Sequence, residues 1–164
     1  MFVLFRTIIY GTAFVGFLLV FLPGRVLSWS GIVRPENIGV AQLVGVIVAA
    51  TGALLALWCV FTFNFSGRGT PAPFDPPRLL VDVGPYRYVR NPMYIGAGLA
   101  LAGAALFYQS WALLGYCALF VLITHLFVTL YEEPTLRRTF GESYARYCER
   151  TRRWWPGRKA SDLT

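Results

Sequence analysis

Residues 111–131 form an uninterrupted apolar run. No Asp, Glu, Lys or Arg occurs between Trp111 and Tyr131, and His125 is the only readily titratable side chain there. A run of this length is long enough for a helix to cross the hydrocarbon core of a bilayer. The whole chain is 56% hydrophobic, whereas a soluble domain is usually roughly 45–50% apolar. The run therefore predicts a membrane-spanning helix and limits the chain to folds that a bilayer accommodates.

Other apolar runs extend this pattern to most of the chain. They lie at 2–22, 40–65 and 93–108. Only Gln109 and Ser110 separate the third run from the fourth, which predicts a tight antiparallel hairpin. Apolar residues then recur at helical spacing through 134–153, where Gly141 weakens the helix and could split it. We expect an all-α fold, a polytopic membrane helical bundle of about four transmembrane helices with a C-terminal amphipathic cytoplasmic helix.

Glycines occur where two of these helices could approach closely. Gly45 and Gly52 lie in the second run, and Gly96, Gly98 and Gly103 lie in the third. Small residues allow membrane helices to pack with their backbones near each other. We therefore expect helix contacts at these positions.

The runs divide a single membrane domain, residues 1–164, into parts. These are two N-terminal spans (1–65), a Pro- and Gly-rich cytoplasmic loop (66–91), a helical hairpin (92–131) and a cytoplasmic C-terminal segment (132–164). The loop is either a flexible connector or an ordered lid, to which Phe74 would be suited. With four spans, all of the 15 Lys and Arg residues except Arg25 and Arg34 fall on one side. The positive-inside rule then places both termini in the cytoplasm, and the lack of a targeting peptide fits a bacterial inner membrane.

The net charge of +7 raises the question of a nucleic-acid partner. Its placement beside apolar runs favours anionic lipid headgroups instead, so we expect membrane lipids and no nucleic acid as partners. Cys59, Cys117 and Cys148 fall in two spans and the tail. This spacing fits neither a disulfide framework nor a zinc site, and no metal is predicted.

Two polar clusters lie at the edges of the last two apolar runs. Glu132 and Glu133 follow the fourth run, and the arginine-containing segment 86–94 precedes the third. Ionisable groups at the edge of a membrane are costly and are therefore functional candidates. With four spans both clusters fall on the same side, so we expect one site at the membrane surface.

The side chains of these clusters suit a small charged ligand. Arg90 could bind a carboxylate or phosphate, or only anchor the span. A carboxylate at Glu132 or Glu133 could accept hydrogen bonds from a cation or hydroxyls, or be a solvated helix end. Because adjacent helical residues point about 100° apart, we expect one glutamate to face the pocket and the other to contact arginine or backbone. His125 lies two helical turns before Glu132, on the same face, and either lines the pocket or packs.

The first cluster carries a family resemblance. Residues 84–96, Gly-Pro-Tyr-Arg-Tyr-Val-Arg-Asn-Pro-Met-Tyr-Ile-Gly, closely resemble the signature GPYRYVRHPxYxG of isoprenylcysteine carboxyl methyltransferases and their bacterial relatives. A second signature, EExxLxxxFGxxYxxY…P, is matched between Glu132 and Pro156. The same segments resemble phospholipid N-methyltransferases, which share Asn-Pro-Met-Tyr-x-Gly and Tyr-Glu-Glu-Pro elements. The resemblance covers residues 66–156 and departs at Asn91, where the first signature has histidine.

The resemblance implies an integral membrane methyltransferase that uses S-adenosyl-L-methionine (EC class 2.1.1). The cofactor would enter from the cytoplasm and a lipophilic acceptor from the bilayer. From the resemblance and from the positions of the residues, we expect Arg90, His125 and Glu133 to be catalytic. The expected cofactor-binding residues are Tyr88, Asn91, Pro92, Tyr94, Gly96, Gly98, His125, Glu132 and Glu133. His125 lies outside both signatures and is included because of its helical spacing from Glu132.

Some of these residue types suit the cofactor directly. Tyr88 and Tyr94 could stack on adenine or cap the sulfonium by cation–π attraction, although both could equally belong to an aromatic belt. Gly96 and Gly98 would let the cofactor approach the helix backbone.

The acceptor is the open question. A carboxylate is already a nucleophile at neutral pH, whereas an amine must lose a proton to a base such as His125. Because Asn91 replaces one candidate base, the sequence favours a carboxylate, as in isoprenylcysteine-like carboxyl O-methylation. A lipid amine N-methyltransferase is the alternative. A non-catalytic membrane module that binds a lipid or a partner is a third hypothesis.

Overall fold

The computed structural model describes residues 16–32, 35, 37–67 and 79–156. Its α-helices are α1 (Leu22–Trp29), α2 (Val40–Thr62), α3 (Pro92–Tyr108), α4 (Trp111–Phe127) and α5 (Glu133–Arg150). No strand occurs in these ranges, so the expected all-α fold is confirmed for them. Most of the first apolar run, and the loop residues around the proposed lid residue Phe74, lie outside the described residues.

Tighter and wider helical turns join these helices. A π-helical turn precedes α1 (Gly16–Phe21), another follows α2 (Phe63–Gly67), and a 3₁₀ turn precedes α3 (Gly84–Arg87). A third π-helical turn, Val128–Glu132, joins α4 to α5 without a break. The resulting helical stretch, Trp111–Arg150, has 40 residues, but only its first part, 111–131, is free of charged residues. We therefore take 111–131 as the membrane segment, and Glu132 and Glu133 as the first residues beyond it.

Helices α2 and α3 pack backbone to backbone through glycines. A Cβ atom added to Gly45 would lie 2.6 Å from the backbone nitrogen of Phe107, and one added to Gly96 would lie 2.7 Å from the carbonyl oxygen of Gly52. Real side chains do not tolerate such distances, so glycine is required for this approach. The expected close packing of these two helices is confirmed. Gly98 lies elsewhere, facing Val121 of α4.

Helices α3 and α4 form the expected tight hairpin. Gln109 adopts the left-handed conformation (φ 48°) that ends α3. The Ser110 hydroxyl accepts a hydrogen bond from the backbone nitrogen of Leu113 at 3.2 Å and so caps the start of α4. Leu101 of α3 and Phe120 of α4 are buried in the hydrophobic core between the two helices.

The outer surface of the bundle is apolar. Val40–Thr62 and Trp111–Arg150 are the helical stretches, among the described residues, that are long and apolar enough to cross a membrane. Their most apolar windows are only 17% and 22% buried, whereas the core helix of a soluble protein is mostly buried. Such exposed apolar surface indicates contact with lipid. The count of four spans is not confirmed, because α3 has only 17 residues and the first run is largely undescribed.

The C-terminal helix folds back on the segment before α3. Gly141 has non-helical dihedrals (φ 51°, ψ −123°) and kinks α5, which confirms that it interrupts the helix. Beyond the kink, Tyr144 and Tyr147 are buried, and the Tyr147 hydroxyl donates to the Tyr86 carbonyl oxygen at 2.7 Å. Residues 151–155, here called the C-terminal strap, then run beside Val89.

Candidate functional site

A pocket lies between the turn that follows α2, the segment that precedes α3, and α5 on both sides of its kink. It encloses about 410 Å³ of empty space, part of which is open to solvent. Apolar, aromatic and charged side chains line it: Phe63, Leu80, Val81, Tyr86, Arg90, Asn91, Glu132, Glu133, Leu136, Tyr144 and Tyr147.

Glu133 is held between two arginines. The Arg153 guanidinium donates to both carboxylate oxygens, at 2.7 and 2.8 Å, and Arg90 Nη1 lies 3.2 Å from Glu133 Oε1. Burial alone would raise the pKa of Glu133, but the hydrogen bonds from Arg153 and the charges of both arginines lower it below its usual value. Glu133 is therefore ionised at neutral pH and already paired.

Arg90 has an unused donor beside the pocket. Its side chain is only 10% exposed, and Nη1 also contacts Cys148 Sγ at 2.7 Å. Its Nε atom is buried and has no hydrogen-bond partner within the described ranges. A buried donor of this kind is costly when unpaired. Arg90 can therefore accommodate an oxygen atom of a bound anion.

Glu132 has no arginine partner among the residues that the structure describes. It accepts a hydrogen bond from the Tyr94 hydroxyl at 3.2 Å. Burial raises the pKa of Glu132 to about 7; the hydrogen bond from Tyr94 opposes this rise, and the charge of Glu133 adds to it. Near neutral pH this carboxyl exists in both protonation states, so it can accept or release a proton at the pocket wall.

His125 does not line the pocket. Its Nδ1 atom accepts a hydrogen bond from Trp154 Nε1 at 3.1 Å, and the two ring centroids are 5.9 Å apart. An indole nitrogen only donates, so Nδ1 must be the unprotonated nitrogen and Nε2 must carry the proton. In this arrangement His125 has no free lone pair, which leaves it unsuited to the base role that its position suggested.

The structure brings some of the other predicted residues to the pocket and not others. Asn91 lines it and donates from Nδ2 to the Arg153 carbonyl oxygen at 3.2 Å. Pro92 is buried at the first turn of α3, and Tyr94 reaches the pocket through Glu132. Tyr88 is 59% exposed, and the face of Gly96 that a cofactor would need is filled by α2.

Arg153 and Trp154 contact the site although the sequence pattern did not mark them. Arg153 is one of several basic residues near the C-terminus, and Trp154 resembles an interfacial anchor. Their partners lie 20 and 29 residues away along the chain. No spacing rule connects positions so far apart, so only the fold identifies these contacts.

The fold and the pocket define a class: a membrane-associated helical protein with a charged pocket at the end of its apolar helices. The particular family follows from comparison. The chain belongs to the phospholipid methyltransferase family, whose model matches residues 40–143, and this confirms the resemblance to membrane methyltransferases. Neither the curated proteins nor the solved structures gave a significant match. The protein is thus a membrane-associated methyltransferase that acts on lipids.

Proposed function

We propose that this methyltransferase takes its methyl group from S-adenosyl-L-methionine and transfers it to the amine of a lipid headgroup. The observation that carries the proposal is Glu132, a half-buried pocket carboxyl whose pKa is raised to about 7 by desolvation. A group of this kind accepts a proton at neutral pH. The family to which the chain belongs acts on lipids, and a lipid headgroup with an ammonium group would supply that proton.

The pocket residues fit the cofactor. S-adenosyl-L-methionine supplies a methyl group bound to a positively charged sulfur. Its amino acid end carries a carboxylate, for which the unpaired Nε of Arg90 is a suitable donor. Its ammonium and ribose hydroxyls require acceptors. Within the described ranges, Glu132 is the pocket carboxyl that is not bonded to arginine.

An amine acceptor requires a proton acceptor, and Glu132 can serve as one. A lipid ammonium must lose a proton before its nitrogen has a lone pair for attack. Neither Asn91, which cannot titrate, nor His125, whose Nδ1 is engaged by Trp154, can take that proton. In the transfer the N–CH₃ bond forms, the S–CH₃ bond breaks, and the displaced proton resides on Glu132 until it passes to solvent.

The rest of the pocket acts by alignment. Holding the two reactants in line is worth about 7–11 kcal/mol in the best intramolecular models. Buried Tyr144 and Tyr147 form one wall of the pocket, and Phe63 and Leu80 give it an apolar side. These residues supply orientation rather than chemistry.

A carboxylate acceptor is the second candidate, and the sequence favours it. The unpaired Nε of Arg90 supports it, because that donor would pair with an acidic acceptor as well as with the cofactor. Such an acceptor would require no base, and Glu132 would then have no role in proton transfer.

The membrane arrangement is part of the proposal. We infer a multi-pass protein of the bacterial inner membrane with both termini in the cytoplasm, supported by the distribution of the Lys and Arg residues around the apolar runs. Reporter tags fused at each terminus should both be inaccessible from outside intact cells. A tag that is labelled from outside would contradict this topology.

Purified protein in nanodiscs can test the acceptor. Labelled methyl transfer is measured with a phospholipid that has a primary amine headgroup and, separately, with a prenylated carboxylate. Mild alkali then releases methanol from esters and leaves methylamines intact. We expect alkali-stable label in the amine lipid. Alkali-labile label would favour the carboxylate, and failure to bind the cofactor would overturn the proposal.

A further inference from the structure

We propose that the C-terminal strap contributes two positioning residues, Arg153 and Trp154, to the site. Arg153 sets the orientation of Glu133, and Trp154 makes His125 a hydrogen-bond donor instead of a base. The contacts stand by themselves; their effect on catalysis rests on the proposed function.

The strap is fixed to the segment that carries Arg90. The backbone nitrogen of Arg90 donates to the Arg152 carbonyl oxygen at 2.9 Å, and Val89 and Arg152 form an isolated parallel bridge. Asn91 adds a side-chain hydrogen bond to the Arg153 carbonyl oxygen. The backbone at 152–153 is therefore held in register with the first cluster of the site.

Arg153 removes Glu133 from competition for a cationic ligand. Both carboxylate oxygens of Glu133 accept hydrogen bonds from the Arg153 guanidinium. A fork of this geometry fixes the carboxylate plane as well as its charge. Glu132 is left as the carboxyl that can bind a cation or take a proton. The strap therefore assigns different roles to two adjacent glutamates.

Trp154 selects one form of His125. Its indole N–H occupies the Nδ1 lone pair, so the proton of the neutral ring is on Nε2. Without that donor the ring would be free to exchange between tautomers. The Nε2–H group is consequently a fixed donor, and the ring is not free to remove a proton through Nδ1.

The tautomer of His125 can be measured without any activity. The chain contains a single histidine, so ¹⁵N-histidine labelling gives unambiguous ring-nitrogen signals in micelles. We expect an unprotonated Nδ1 and a protonated Nε2 in the parent. Trp154→Phe should produce averaged signals, whereas Trp155→Phe, at a side chain that is 76% exposed, should not. Unchanged signals in Trp154→Phe would overturn the assignment.

The role of Arg153 requires a kinetic measurement with a matched neighbour. We expect Arg153→Gln to lower kcat/KM for methyl transfer at least tenfold, and Arg152→Gln, at an exposed side chain, less than twofold. Arg153→Lys, which keeps the charge but loses the fork, should recover only part of the loss and serves if Arg153→Gln does not fold. Full activity in Arg153→Lys and Arg153→Gln would overturn the proposal.

The two proposals fail in different ways. If the parent shows no methyl transfer while the histidine signals behave as expected, the strap contacts hold and the proposed function is wrong. If the parent transfers methyl groups and the strap variants match it in rate and in histidine ring-nitrogen signals, the function holds. The strap then only stabilises the fold.

Discussion

Arg153 and Glu133 form a two-pronged ion pair across 20 residues of sequence, with Nε–Oε1 and Nη2–Oε2 distances of 2.7 and 2.8 Å. The pair joins the C-terminal strap to the first turn of α5. Arg90 contacts the same carboxylate from the start of α3. One ionised side chain thus connects three segments around the pocket.

Replacing Glu132 tests the proton acceptor. Glu132→Gln keeps the size of the side chain and a hydrogen-bond acceptor for Tyr94, but it cannot take a proton. We expect kcat on an amine lipid to fall roughly 100-fold, the lower end of general base effects. Glu142→Gln, at an exposed position on α5, is the matched control. Equal rates in both variants would remove Glu132 from the chemistry.

The pH dependence follows from the same group. The pKa of Glu132 is raised to about 7, so the carboxylate form that accepts a proton predominates only above that pH. We expect the rate on an amine lipid to rise through pH 7 and this limb to vanish in Glu132→Gln. A pH-independent rate between 6 and 8 would contradict general base catalysis by Glu132.

Stability should change in the opposite direction with pH. Folding raises the pKa of Glu132 from 4.5 to about 7, so the folded state binds the proton more tightly than the unfolded chain. Its stabilising contribution is complete below pH 4.5 and is lost as pH rises through 7. Thermal midpoints in micelles should therefore decline less between pH 5 and 8 for Glu132→Gln than for the parent.

We expect Arg90 to contribute to kcat/KM through its Nε–H donor as well as through its positive charge. Arg90→Ala removes the unpaired Nε donor and leaves Glu133 with one arginine. We expect at least a tenfold loss of kcat/KM, about 1.4 kcal/mol. Arg90→Lys keeps a positive charge but has no Nε–H, and it should recover less than half of the loss in free energy. An unchanged rate in Arg90→Ala would mean that Arg90 only anchors the span.

The packing of α2 against α3 should depend on single glycines. Gly96→Ala would place a methyl group 2.7 Å from the Gly52 carbonyl oxygen. Overpacking of this kind typically costs about 1–3 kcal/mol, so the thermal midpoint should fall. Gly115→Ala is the control, since nothing lies within 4 Å of its added Cβ. Similar midpoints for both variants would mean that the helices separate easily.

Local sequence signals predicted the parts of the fold that depend on near neighbours. The two-residue gap at Gln109 and Ser110 predicted the hairpin, and Gly141 predicted a break in the last helix; both are confirmed. The angle between adjacent helical residues predicted that one glutamate faces the pocket while the other contacts arginine or backbone. Glu133 does contact arginine, although both glutamates line the pocket. These inferences need only the geometry of one or two helical turns.

Contacts between distant segments were beyond the same reasoning. The glycine pattern identified Gly96 as a place of close approach but did not decide between a helix and a cofactor, and the structure fills that space with α2. The roles of Arg153 and Trp154 depend on where the chain returns after α5. Likewise, the raised pKa of Glu132 arises from burial, which sequence alone does not reveal.

The glycine contacts between α2 and α3 also limit how a lipid reaches the enzyme. With backbone against backbone along Gly45, Gly52, Gly96 and Gly103, that seam has no opening wide enough for an acyl chain. A lipid that approaches the pocket from within the bilayer must therefore pass along a different face of the bundle from the one that α2 and α3 close.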